Sequence, residues 1–365
     1  MIKVLVVDDS ALVRKLFGAV LGNEPDLEVT FARSGVEALE QLHTLKPDVI
    51  TLDVQMPGMN GLECLDRIML EGPRPVVMVS SLTEANADET LQALRLGAVD
   101  FIAKPGGAVS LRIQEFAPRL LEKVRAAAAA KVRTSLRLKE RVQHRTAAVA
   151  SLRIAPRATA RPAPESPAMG AGLVVVGTST GGPPALEALL VPLPASFPWP
   201  IVIAQHMPAS FTGPLARRLD SISAIRVLEV SRPVMLEAGC AYLARGEGDV
   251  IIARRGGALY AMAAAPEAGY PWHPSTDRLV RTAMDHVPPG QLVGVLMTGM
   301  GNDGAAAMAR LHAEGGRTIA ESEETAVIWG MPGELAKAGG ADWVLPLPQI
   351  ADRLQQTIAR HAAHS

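Results

Sequence analysis

Short apolar runs, each closed by a polar or acidic residue, recur along the first third of the chain. Ile2 to Val7 ends at Asp8 and Asp9, and Ser10 is placed to cap a helix running to about Leu21. The same unit returns at Glu28 to Ala32 with a helix after Ser34, and at Val49 to Leu52, which ends at Asp53. It returns again at Val76 to Val79, ending at Ser80, and at Asp100 to Ala103, ending at Lys104. Strand and helix alternating in this way predict a parallel sheet covered by helices on both faces. From Pro118, read as the first turn of a helix, Leu121, Val124, Ala128, Val132 and Leu136 recur at roughly helical spacing and predict a helix to about Gln143. From Thr146 to Gly170 the pattern gives way to Ala, Arg, Ser and Pro, the composition of a flexible or extended linker. Basic residues outnumber acidic ones in this connector, which reads as a solvated tether or as a segment that docks on the acidic pocket of the first domain or on a nucleic acid.

Strand signals return at Leu173 to Val176, Ile201 to Ala204, Gly239 to Ala244, Val250 to Ala253, Leu292 to Met297, Thr318 to Ala320 and Trp343 to Pro346. Helical stretches lie between several of them, as at Thr276 to Asp285 and Ala305 to Ala313. The pattern predicts a second doubly wound α/β domain, mostly parallel, with an antiparallel pair within Tyr242 to Ala261. The expected domains are therefore 1–128, a connector over 129–170, and 171–360.

Composition narrows the function classes. A length of 365 residues suits two domains, and 48% hydrophobic with 20% charged residues is ordinary for a soluble α/β protein. The formal net charge of -1 argues against a wholesale nucleic-acid binder. Cys64 and Cys240 have no paired-ligand spacing, so neither zinc nor a disulfide framework is indicated, and a reducing cytoplasm fits. No apolar run approaches the roughly 20 residues of a membrane span, and the amino terminus is unlike a signal peptide. A cytoplasmic, non-membrane protein is expected.

In parallel sheets, functional groups gather at the carboxyl ends of the strands. Asp8, Asp9, Asp53, Ser80 and Lys104 all fall at such ends in the first domain. Crowded carboxylates repel one another unless a cation sits among them, and hard oxygen ligands suit Mg²⁺. Each residue also has an ordinary reading: a helix cap for Asp8 or Asp9, a turn for Ser80, a solvated loop for Lys104. The joint pattern Val-Asp-Asp-Ser, Leu-Asp-Val-Gln-Met-Pro-Gly-Met-Asn-Gly, Met-Val-Ser-Ser and Ala-Lys-Pro resembles the receiver domain of two-component response regulators. The resemblance implies a (βα)5 receiver with Asp53 as phospho-acceptor, and Mg²⁺ on Asp8, Asp9, Asp53 and the Gln55 carbonyl. It also implies Ser80 and Lys104 as phosphate-responsive groups, Phe101 as the aromatic switch and a sensor histidine kinase as partner. Family members usually carry an acidic residue where Gln55 stands and Asp where Asn60 stands.

In the second domain, Val174 to Gly182 reads as a buried strand that breaks into a glycine-bounded turn carrying Ser179. Gly177, Ser179 and Gly181 spell G-x-S-x-G, the pattern of a nucleophile elbow. A serine nucleophile needs a base and an orienting acid. His206 stands just beyond the strand ending at Gln205, and Asp303 just beyond the strand ending near Thr298. The chain order Ser, His, Asp differs from the Ser, Asp, His order of the common α/β-hydrolases. His206 reads equally as a core histidine, His273 is a rival base in a Pro-rich loop, and Asp303 also suits a cap for the helix from Gly304. The middle glycine of a dinucleotide fingerprint is replaced by Ser179, and no Walker lysine follows.

Gly-Thr-Ser-Thr-Gly-Gly, Gln-His-Met-Pro, His-Pro-Ser-Thr-Asp, Met-Thr-Gly-Met-Gly-Asn-Asp-Gly and Trp-Gly-Met-Pro together resemble the catalytic domain of bacterial chemotaxis protein-glutamate methylesterases. The resemblance implies an α/β serine hydrolase without a cofactor, with Ser179 as nucleophile, His206 as base and Asp303 as its orienter. Backbone N–H groups near Thr180 and Met300 would form the oxyanion hole. It further implies hydrolysis of glutamate γ-methyl esters on chemoreceptor cytoplasmic helices, possible deamidation of receptor glutamines, and control by receiver phosphorylation. Thr178 replaces a usual Ala, His273 a usual Arg and Gly333 a usual basic residue, and Arg245 to Asp249 lacks the common Pro-Gly and His pattern. The departures at His273 and Gly333 motivate one rival, a phosphorylation-controlled adaptor with an idle hydrolase domain, which the intact Ser179, His206 and Asp303 oppose. A third reading keeps the methylesterase in a chemosensory system that does not control motility.

Overall fold

The computed structural model describes residues 1–81, 84–104, 109–130 and 172–362, and the chain forms two compact units, Met1–Arg161 and Pro162–Ser365. Most of the expected connector, from 131 to 170, lies outside the described residues, as does the predicted helical extension to Gln143.

The first unit alternates β1 (Ile2–Val7), α1 (Ala11–Leu21), β2 (Leu27–Ala32), α2 (Gly35–Leu45), β3 (Val49–Asp53), α3 (Gly61–Glu71), β4 (Val76–Ser80), α4 (Glu84–Leu96), β5 (Asp100–Ala103) and α5 (Val109–Ala128). The strands are parallel in the order β2-β1-β3-β4-β5. Strand order reverses between β1 and β3, and Val7 pairs with Leu52 there, so Asp8 and Asp53 leave neighbouring strand ends. Three helices start at side-chain caps: Ser10, Ser34 and Asn60 accept the N–H of Val13, Glu37 and Glu63. Asn60 thus caps α3.

Pro118 corrects the sequence reading. It lies inside α5, which begins at Val109, rather than in a first turn. An interior proline costs a backbone hydrogen bond and crowds the preceding turn. Here buried apolar side chains flank it, Phe116 on one side and Leu120, Val124 and Ala127 on the other, and packing holds the helix through it. Phe116 meets Phe17 with ring centroids 5.7 Å apart.

The second unit runs β6 (Leu173–Thr178), α6 (Gly182–Leu190), β7 (Ile201–Gln205), α7 (Ala209–Ile222), β8 (Arg226–Val230), β9 (Val234–Met235), β10 (Cys240–Ala244), β11 (Asp249–Arg255), β12 (Ala258–Ala264), α8 (Thr276–Met284), β13 (Leu292–Leu296), α9 (Ala305–Ala313), β14 (Arg317–Glu321), α10 (Met331–Lys337), β15 (Trp343–Leu345) and α11 (Leu347–Ala362). Its main sheet has seven parallel strands in the order β15-β14-β13-β6-β7-β10-β8. β6 lies between β7 and β13, so the chain winds outward in both directions from it and the switch point falls at β6 and β13. Both units are doubly wound α/β sheets.

The antiparallel pair expected at Tyr242 to Ala261 is present but begins later in the chain, at Asp249. Tyr242 lies on β10, a fully buried strand paired in parallel with β7 and β8. Burial on both faces is the mark of an inner parallel strand. The antiparallel hairpin is β11 with β12, turned at Gly256 and Gly257, both at positive φ, and β9 joins it to form a separate three-stranded sheet.

Candidate active site

Ser179 follows β6 directly, and Gly181, at φ +77°, turns the chain into α6. The Ser179 N–H donates to the Thr298 carbonyl (2.9 Å), which binds this turn to the loop after β13. His206 follows β7, and its N–H donates to the Thr178 carbonyl (3.1 Å), carrying the β6–β7 ladder one step past the sheet. Ser179 and His206 therefore leave adjacent strands side by side. Asp303 enters from the loop after β13, and its Oδ2 lies 2.8 Å from His206 Nε2. The His206 side chain is 11% exposed and that of Asp303 only 2%.

Asp303 is held from every direction. Oδ2 also accepts the Thr276 N–H (2.6 Å), and Oδ1 accepts the Asp277 N–H (3.0 Å) and the Ser275 hydroxyl (3.1 Å). It therefore caps the first turn of α8, not the helix from Gly304 that the sequence suggested. Asp277 returns the arrangement by accepting the Ala307 N–H at the start of α9 (2.9 Å). Burial pushes the Asp303 carboxyl up, but the hydrogen bond and charge of His206, with the N–H groups of Asp277 and Thr276, outweigh it and hold the group below the usual carboxylate range. A carboxylate only accepts, so Nε2 of His206 carries the proton and Nδ1 is left as the basic nitrogen. The Trp272 ring lies parallel to that of His206, centroids 6.2 Å apart.

His273, the rival base, is placed elsewhere: its Nδ1 lies 3.0 Å from Oδ1 of the buried Asp249, whose Oδ2 accepts from Arg278 (2.7 Å). Gly333, where a basic residue is usual, abuts the Trp329 ring. The N–H groups of Ser179 and Gly299 are engaged by Thr298 and Ile328, so neither is turned towards an oxyanion. Thr180 and Met300 come next in those two loops.

Two residues missed from the sequence hold the turns. The Thr298 hydroxyl donates to the Thr180 carbonyl (2.8 Å) and accepts the Ile328 N–H (3.1 Å), while its own N–H donates to the buried Glu321 carboxylate (2.8 Å). Gln205, 1% exposed, spans the Ser179 and His206 backbones. A buried amide closing an apolar strand was the available signal. Close approach also fixes Gly299, because a Cβ there would stand 2.8 Å from the Ser179 Cβ. Gly299→Ala is expected to shift the Ser179 turn and lower the rate of any reaction at the Ser179 hydroxyl about tenfold or more, as small misplacements near a reacting group do; steady-state kinetics on a folded variant checks this.

In the first unit, the ligand atoms of Asp8, Asp9 and Asp53 lie within 4.8 Å of one another. Lys104 Nζ lies 2.9 Å from Asp8 Oδ2 and 2.7 Å from Asp53 Oδ2. Burial pushes the Asp53 carboxyl up; Lys104 opposes the shift and neighbouring Asp8 adds to it. The Gln55 N–H donates to Asp53 Oδ1 (3.3 Å), and its side-chain amide donates to Asn86 (2.7 Å). Ser80 closes β4 and is buried, and Phe101 is buried on β5. A carboxylate cluster of this kind, with oxygen donors and one lysine, fits a hard divalent cation.

Comparison with known proteins finds relatives for both units. Residues 174–354 match the CheB methylesterase family and residues 4–114 the response regulator receiver domain. The chain is 55% identical over 360 residues to the protein-glutamate methylesterase/protein-glutamine glutaminase 2 of Rhodopseudomonas palustris, covering 96% of each chain. It is 50% identical to protein-glutamate methylesterase/protein-glutamine glutaminase 3 of Rhodospirillum rubrum, covering 99% of this chain and 97% of that one. A crystal structure of the Thermotoga maritima CheB methylesterase catalytic domain aligns at 35% identity with a TM-score of 0.49, over 51% of this chain and 98% of its own.

Proposed function

This chain belongs to the CheB methylesterase family, and from that premise we propose that it is a phosphorylation-activated protein-glutamate methylesterase. Its substrates are glutamate γ-methyl esters on the cytoplasmic helices of methylated chemoreceptors, which places its work in the cytoplasm. The observation that carries this reading is the hydrogen-bonded His206–Asp303 pair beside Ser179 at the sheet's switch point.

Ser179 Oγ attacks the ester carbonyl as His206 Nδ1 takes its proton. Asp303 stabilises the imidazolium that results, and the N–H groups of Thr180 and Met300 receive the oxyanion. Collapse of the tetrahedral adduct breaks the bond to methoxide, which leaves as methanol with the proton from His206. Water, deprotonated by His206, then attacks the acyl-enzyme; Ser179 leaves and the glutamate carboxylate is restored. The same route on a glutamine side chain would release ammonia.

Control enters through Asp53, which takes a phosphoryl group from the sensor histidine kinase of a chemosensory system. Asp8, Asp9, Asp53 and the Gln55 carbonyl would hold Mg²⁺, which when bound neutralises phosphoryl oxygens. Ser80 and Lys104 then engage the phosphoryl group and Phe101 changes its packing, which shifts the chain towards its active population. Methanol release from methylated receptor cytoplasmic domains tests the reading. Release by the native chain is expected, and none from folded, phosphorylatable protein would favour the adaptor.

A further inference from the structure

The side chain of Gln205 is buried beneath the Ser179 turn with its amide fully engaged. Oε1 accepts the Thr178 hydroxyl (2.5 Å), while Nε2 donates to the Ser179 carbonyl (2.9 Å) and to the His206 carbonyl (3.1 Å). Two carbonyls on one side and a hydroxyl on the other fix which end is nitrogen. Space is reserved for it, because a Cβ on Gly182 would overlap Oε1. The Ser179 carbonyl accepts a second hydrogen bond, from the Gly182 N–H (2.8 Å). In a trans peptide the carbonyl and the following N–H point in opposite directions. Holding the Ser179 carbonyl inward therefore sets the direction of the Thr180 N–H.

We propose that Gln205 is a positioning residue: one buried amide fixes the Ser179–Thr180 peptide, and so the aim of an oxyanion donor, and ties the backbone of the base to the same frame. This rests on Ser179 being the nucleophile. Thr298 braces the turn from the loop after β13, through the Ser179 N–H and the Thr180 carbonyl. The elbow is thus held from β7 and from the loop after β13.

The test compares the native chain with Gln205→Met, which keeps length and volume but removes both donors, and with Gln205→Glu, which keeps an acceptor for Thr178 and turns an oxygen towards the two carbonyls. Three quantities are measured: kcat and KM on a methylated receptor fragment, and inhibition by butylboronic acid, whose boron becomes tetrahedral when the Ser179 hydroxyl adds to it and so mimics the tetrahedral adduct. Misaimed oxyanion donors weaken only the tetrahedral state. The expected result is a kcat lowered roughly 10- to 100-fold and boronate inhibition weakened by the same factor, with KM within about twofold. Native kcat in both variants, or a lowered kcat with unchanged boronate inhibition, would overturn the proposal. Thermal unfolding monitors folding, and Gln205→Glu carries the test should the methionine variant not fold. Ser179→Ala is run alongside: activity surviving in it refutes the nucleophile, whereas activity lost in it but retained in the Gln205 variants refutes only the positioning role.

Discussion

Ser179→Ala is expected to lower methanol release by ~10⁴- to 10⁶-fold while leaving the fold intact, because loss of one member of a working triad removes most of its contribution at once. The backbone bonds of Ser179 do not depend on its hydroxyl: the N–H goes to Thr298, and the carbonyl is held by Gln205 and Gly182. Unfolding temperature should stay near native, so that lost turnover reports chemistry. A loss of less than about tenfold would remove Ser179 from the reaction.

Asp303→Asn should lower turnover by about 10⁴-fold, the scale seen when an orienting carboxylate becomes an amide. Oδ2 faces two donors, His206 Nε2 and the Thr276 N–H, and Oδ1 faces the Asp277 N–H and a hydroxyl. Either rotation of an asparagine therefore sets its NH₂ against a backbone N–H. With the NH₂ towards His206, the ring reverses its tautomer and Nδ1 no longer accepts a proton. With oxygen there, the negative charge that supports the imidazolium is gone. A stability effect accompanies the kinetic one. The Asp303 pKa is depressed by folding, so its stabilisation is present above the ordinary carboxylate value of about 3.9 and is lost as pH falls through the lower folded value. The gap in unfolding temperature between native and Asp303→Asn should narrow as pH drops below about 4. A gap that stays constant or widens in acid would contradict the depressed pKa.

Much of this fold was legible as apolar runs because inner parallel strands are buried on both faces and read as continuous β-branched segments. β6, β7 and β13 are fully buried, and each was found within one or two residues. β8 and β9 were missed for the opposite reason: they sit at sheet edges, and Arg226 and Glu229 interrupt the first of them. The α5 proline misled because local propensity opposes a helix that tertiary packing retains. Ser179, His206 and Asp303 were visible as strand-end residues, but their connections were not. That Asp303 caps α8, or that Trp272 lies over His206, depends on loops far apart in sequence. Gln205 stood in a recognised motif, yet its role follows only from which carbonyls its amide meets.

The claim that one chain couples phosphorylation to ester hydrolysis is tested most directly by the rate of methanol release from methylated receptor fragments, with and without a small phosphodonor and Mg²⁺, in the native chain and in Asp53→Ala. The native rate should rise with phosphodonor, while Asp53→Ala should hydrolyse at the unstimulated rate and not respond. Equal stimulation of both proteins, or none in the native chain, would contradict control through Asp53.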